Sequence, residues 1–185
     1  MKVAITSIIL AIILALVFCL PALAQESSTI TITMTGLDEI SITLDKVAWP
    51  LGTVASNTEY ETSPPIEWCT LTVQGNCNVN TLIIGKDAEW VSDPGAYKWT
   101  LSDDGSNGEH IYGLWFRISG DTETNGRGYV PITKTQSEFW PYSAGSSSSL
   151  APGDKKKFGL RLLTPTYFVS GRQMQTQITI SAVHA

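Results

Sequence analysis

The first residues in this chain that could do chemistry are His110, the acidic turn Asp103-Asp104 and Ser106. A Ser-His-Asp hydrolase uses these three types. The carboxylate orients the imidazole, the imidazole deprotonates the serine, and an oxyanion hole stands beside it. The chain has two histidines, and His184 is the penultimate residue, so His110 is the candidate base. No G-x-S-x-G elbow occurs, and Ser106 sits in a turn with no recognisable oxyanion scaffold. The expectation is a surface histidine at a strand start, no catalytic residue and no cofactor. Asp121, Glu123 and Asn125, followed by Gly126, have the alternating oxygens and the sharp-turn glycine of a calcium loop. The bidentate acid at the twelfth position is replaced by Ile132, and Asn125-Gly126 is equally a hairpin turn. No metal site is expected there.

Cys69 and Cys77 bracket the turn-forming cluster Gln74-Gly75-Asn76. Apolar runs lie on both sides, Cys69 to Val73 and Val79 to Ile84, so the stretch reads as strand, turn, strand. The third cysteine, Cys19, belongs to the N-terminal segment discussed below. Two cysteines in an oxidising compartment read as a disulfide, since no histidine or third cysteine lies near enough in sequence for a metal site. A flat hairpin with Cys69 opposite Cys77 would centre on Val73, but the turn residues are Gly75-Asn76. The bridge is therefore expected to close a bent crossover.

Lys155-Lys156-Lys157 could bind an anionic polymer, but lysines at a strand start more often protect a sheet edge. The six tryptophans could form a sugar-stacking platform, but they more often fill cores and sandwich ends.

The elements that must position these residues begin after an N-terminal targeting segment. Lys2 precedes an apolar run from Ile8 to Leu20, followed by Pro21 and Ala22-Leu23-Ala24. A positive start, an apolar middle and a small-x-small site make a secretory signal peptide over residues 1–24, leaving 25–185 as one domain. The apolar run is short for a spanning helix of about 20 residues, so no stable membrane span is expected after cleavage. Phe18 before Cys19 does not suit a lipoprotein cysteine. The net charge is −5, and losing Lys2 makes it more negative. Such a balance argues against nucleic acid, which requires a basic footprint. Only 16% of residues are charged, while threonine, serine, isoleucine and aromatics abound, which suits an extracellular β-protein.

Period-two alternation recurs along the chain. Ile30, Ile32 and Met34 alternate with threonines over Ser28–Thr35, and Ile40, Ile42 and Leu44 repeat the pattern. Ala55 to Ile66 carries Pro64-Pro65 and reads as a loop or edge segment. Ala88–Val91 suits a short helical turn. Strands are expected at Trp99–Leu101, at Ile111–Ile118 with Tyr112, Leu114, Phe116 and Ile118 on one face, and at Tyr129–Ile132. Two more are expected at Lys155–Leu163 and at Gln175–Val183, the last with Ile178, Ile180 and Ala182 inward. Tyr142–Ser149 is Ser/Gly-rich and reads as a surface loop. About eight or nine short strands separated by turns predict a single antiparallel β-sandwich.

Leu150-Ala151-Pro152-Gly153 leads into a strand that ends at Thr164-Pro165, and Gly75-Asn76 follows the strand Cys69–Val73. These features resemble immunoglobulin-like modules of microbial surface proteins. The resemblance implies an Ig-like sandwich in an extracellular, non-catalytic module. The triplets Trp49-Pro50-Leu51 and Trp99-Thr100-Leu101 resemble those of WxL cell-wall-binding proteins, although that family places its second triplet near the C-terminus. The functional expectation is a secreted, non-catalytic cell-surface structural or assembly protein. Ile30, Ile32 and Met34 mark a strand able to pair with another copy or a surface-layer partner. The second reading is a carbohydrate- or cell-wall-binding module, with polysaccharide as its partner.

Overall fold

The computed structural model describes residues 33–64, 66–119, 128–140 and 149–185. The signal-peptide segment, most of Ser28–Thr35 including Ile30 and Ile32, and the Asp121–Asn125 loop lie outside the described residues, as does Tyr142–Ser148. Among the described residues there is no helix, and twelve strands run in chain order. They are β1 (Ile42–Leu44), β2 (Glu59–Glu61), β3 (Cys69–Val73), β4 (Val79–Gly85), β5 (Ala88–Trp90) and β6 (Lys98–Leu101), then β7 (Ile111–Ile118), β8 (Val130–Pro131), β9 (Ser137–Trp140), β10 (Lys155–Leu163), β11 (Met174–Gln175) and β12 (Ile178–His184).

The strands form two sheets. The larger runs β1-β3-β10-β7-β6-β5-β11, with β2 also paired to β10 and β8 to β7. The smaller runs β12-β4-β9. The two share one core, in which the Phe139 ring of β9 meets Phe116 of β7 and Phe158 of β10, each at 5.0 Å between centroids. The inward set of β7 is the expected one, with Tyr112, Leu114, Phe116 and Ile118 all at most 3% exposed. On β10, where Phe158, Leu160 and Leu162 alternate in the sequence, Phe158 and Leu162 are buried and Leu160 is half-buried.

The expectation of a purely antiparallel sheet is corrected. β6 pairs with β7 in parallel, Thr100 opposite Ile111 and Leu101 opposite Tyr112. The connection of Asp103 to His110 is long enough to bring the chain back beside its own start instead of folding it as a tight hairpin. Ala88–Val91 is likewise not a helical turn. Ala88–Trp90 is a strand because it has ladder partners on both sides, Lys98–Trp99 and Met174–Gln175.

The turn after Val73 forms as expected, but β3 and β4 lie in different sheets. The Gly75 and Asn76 amides donate to the carbonyls of Ser41 and Glu39. A Cβ on Gly75 would lie 2.0 Å from the Glu39 carbonyl oxygen, so only glycine permits this approach. The expected Cys69–Cys77 disulfide is not present, and both cysteines are free and buried. Cys69 opens β3, and four further residues of straight strand carry the chain about 13 Å from it. Because β1 runs antiparallel to β3, the bonds to Ser41 and then Glu39 show the turn continuing onward, away from Cys69. Cys69 Sγ contacts the Lys46 carbonyl and Cys77 Sγ that of Glu39, at opposite ends of β1. A disulfide needs Cα atoms within about 7 Å.

Candidate functional site

The two sheets differ in width. The larger has seven strand positions across, about 29 Å at ordinary interstrand spacing, and the smaller has three, about 10 Å. Three strands cannot cover seven, so part of the inner face of the larger sheet is covered by segments other than the smaller sheet. A groove of about 1280 Å³ lies there. Its floor is apolar and deep: Trp99 of β6, Tyr112 and Leu114 of β7 and Phe158 and Leu162 of β10 are buried, and Leu160 of β10 is half-buried. One wall is Lys46–Val54, which carries Trp49 and Leu51. The other is Ser170–Gln177 and the first residues of β12, Ile178 to Ile180.

Strand β12 is an edge strand. It pairs with β4 from Ile178↔Gly85 to His184↔Val79, and no described strand pairs with its other side. Its inward residues show the consequence. On β4, Val79, Thr81 and Ile83 are each 0% exposed. On β12, the expected inward residues Ile178, Ile180 and Ala182 do pack against the core but are only half-buried. The core is therefore open at β12, with a row of backbone donors and acceptors beside it. Such an edge can take up another strand.

Of the expected assembly residues, Met34 is described and is 85% exposed. Thr33 to Ile40 contains no strand, and Leu37 is also exposed, at 84%. At Asp38 the chain reaches the end of β12, where the Asp38 carboxylate lies 3.3 Å from His184 Nε2.

The catalytic candidates are not brought together. Asp104 Oδ1 accepts from the hydroxyls of Ser102 and Ser106, both at 2.6 Å, and from the Ser106 amide. These bonds, that from Ser102 foremost, hold its carboxyl down at about 2. His110 Nδ1 instead meets the Tyr97 hydroxyl at 2.9 Å, and its Nε2 faces Glu109. The serine and the imidazole thus have separate partners. No group of three metal-ligating side chains occurs among the described residues.

All six tryptophans are buried or half-buried. Both apolar residues of Trp99-Thr100-Leu101 point into the core, at 6% and 1% exposed. The lysine run opens β10, where Lys155 pairs with Thr72 and Lys157 with Thr70 of β3, while the ladder to β7 begins only at Phe158. Lys156 places its ammonium 3.9 Å from the Trp140 ring.

One cluster had no sequence signal. On the outer face of the larger sheet, Glu61, Arg161 and Trp115 align across β2, β10 and β7. The Arg161 guanidinium stacks between Trp115 and Tyr129, at 4.4 and 4.6 Å. Tyr129 donates to Glu61, and Arg161 lies 3.7 Å from Glu59. The three strands are far apart in sequence, so only the pairing reveals this row. It buries Trp115 on the face opposite the core and stabilises the sheet through cation–π contacts. No protein-family model matches the chain, and no curated protein matches it.

Proposed function

We propose that this chain is a secreted, non-catalytic cell-surface subunit that assembles with copies of itself through its N-terminal strand, Ser28–Thr35. The observation that carries this reading is the edge position of β12 among the described strands, beside the apolar-floored groove. In this reading the two sheets form an Ig-like sandwich short of one strand on its narrower side. The N-terminal segment has the matching pattern. Ile30, Ile32 and Met34 offer one apolar face, no charge lies between Ser27 and Thr35, and neither proline nor glycine interrupts it. Signal-peptide removal after Ala24 would free the end of this strand a few residues before Ser28. Main-chain bonds to β12 would supply affinity, and alternate side chains in the groove would supply specificity.

The test compares residues 25–185 with a form lacking 25–35. The longer form should assemble with rising concentration in size-exclusion chromatography and show filaments by negative-stain microscopy. The shorter should be a folded monomer. A longer form that stays monomeric at every concentration would rule out the proposal. A shorter form that fails to fold would mean that the strand belongs to its own domain. Binding to insoluble polysaccharide or peptidoglycan by the monomer would favour a wall-binding module.

A further inference from the structure

We infer that the strand completing β12 comes from a second copy and runs antiparallel to β12. This rests on the assembly reading above and adds the direction of the strand and the reason a chain cannot serve itself in that direction. The root of the N-terminal segment is held firmly at one end of β12. Asp38 faces His184. Asn76 Nδ2 donates to the Leu37 carbonyl at 2.7 Å, and the Glu39 amide donates to Asn76 Oδ1 at 2.6 Å. The Ala185 amide, just past β12, donates to the Asn78 carbonyl two residues from Asn76.

Strand β12 is six residue steps long from Ile178 to His184, about 20 Å. To lie antiparallel to β12, the chain's own strand would have to bring Thr35 beside Ile178, at the far end. Thr35 is three steps from Asp38, which spans at most about 11 Å. A chain's own strand can therefore lie beside β12 only in parallel. Parallel ladders have slanted bonds and are slightly less stable per residue. A second copy has no such tether, so its strand can take the antiparallel direction that β12 already shares with β4. Its Ile30, Ile32 and Met34 then face the groove beside Ile178 and Ile180, while its threonines share the outer face with Thr179, Ser181 and Val183. Keeping that face restricts the register to steps of two residues, and setting Ile30, Ile32 and Met34 opposite Ala182, Ile180 and Ile178 fixes it with Thr31 opposite Ser181.

Paired cysteines in the full chain, purified after export, read the direction. Thr29→Cys with Val183→Cys, and Thr33→Cys with Thr179→Cys, are adjacent only in the antiparallel arrangement. Thr29→Cys with Thr179→Cys, and Thr33→Cys with Val183→Cys, are adjacent only in the parallel one. Thr31→Cys with Ser181→Cys is adjacent in both. After mild oxidation, the antiparallel pairs and the central pair should give a ladder of linked oligomers that collapses to monomer on reduction. Each single-cysteine variant should not. Links in the parallel pairs, or links confined to one chain, overturn the inference while leaving assembly to be judged by chromatography. Assembly in which even the central pair fails to link also overturns it, because the strand then lies elsewhere. A wild-type chain that never assembles removes the underlying reading and this inference with it.

Discussion

Residue by residue, the fold depends on close approaches that small changes would disturb. A Cβ at Gly113 would lie 2.2 Å from the Gly105 carbonyl oxygen and 2.5 Å from the Trp115 ring. A backbone oxygen cannot swing aside as a flexible side chain can. Gly113→Ala should destabilise the protein by about 1–3 kcal/mol, read as a lower urea midpoint. Thr164 is 0% exposed, and its hydroxyl donates to the Ala55 carbonyl at 2.7 Å and accepts from the Thr58 amide at 2.9 Å. Thr164→Val leaves both groups short of a partner and should cost about 1–3 kcal/mol. The cysteines give a chemical readout. Burial raises the Cys69 thiol above its ordinary value, so little reactive thiolate forms. The native protein should resist alkylation, and unfolding without reductant should expose two labelling sites. Labelling that requires reductant would show an oxidised pair.

At the level of elements, Tyr112 of β7 joins three parts of the chain. Its hydroxyl donates to the Lys86 carbonyl between β4 and β5, and lies 2.8 Å from the Thr176 hydroxyl between β11 and β12. Burial, above all, pushes its phenol well above the ordinary 10.0. The unfolded chain therefore loses this proton at a lower pH than the folded one. The associated stability is fully present below about pH 10 and falls as pH rises beyond it. Alkaline titration should show the buried tyrosinate appearing together with loss of β-sheet circular dichroism. A Tyr112 phenol that ionises at its ordinary value in a still-folded protein would contradict this. The same contact sits next to Gln177 and Ile178, so it also anchors the start of the edge strand.

For the whole molecule, the unequal widths of the two sheets matter most. They leave a groove with an apolar floor beside β12, walled by Lys46–Val54 and Ser170–Gln177. A synthetic peptide spanning Ser28–Thr35 should therefore bind the domain lacking residues 25–35. At a hundredfold excess over Kd it should add about 2.7 kcal/mol, a rise of several degrees in Tm. A peptide with Ile32→Asp should give no rise, because it would place a charge against the groove floor. Equal stabilisation by both peptides would show that the groove does not read the apolar face.

The sequence by itself determined the class and most of the strands. Residues of β3, β7 and β10 were legible to their ends, because alternation is set by the pleat of a single strand and needs no partner. The inward faces of β7 and β12 were legible for the same reason. The short strand Ser137–Trp140 was not, and Glu59–Glu61 was legible only as a loop or edge segment, since three or four residues carry too little pattern and these exist through their neighbours in the ladder. Tertiary structure alone decided which strands pair. It made β6 parallel to β7, put β10 between β3 and β7, and separated β3 from β4 so that Cys69 and Cys77 stand apart. It also decided that β12 is an edge among the described strands and that a groove lies beside it. Pairing brings together residues distant in sequence, and its free energy is summed over the whole sheet, so no local stretch of residues encodes it.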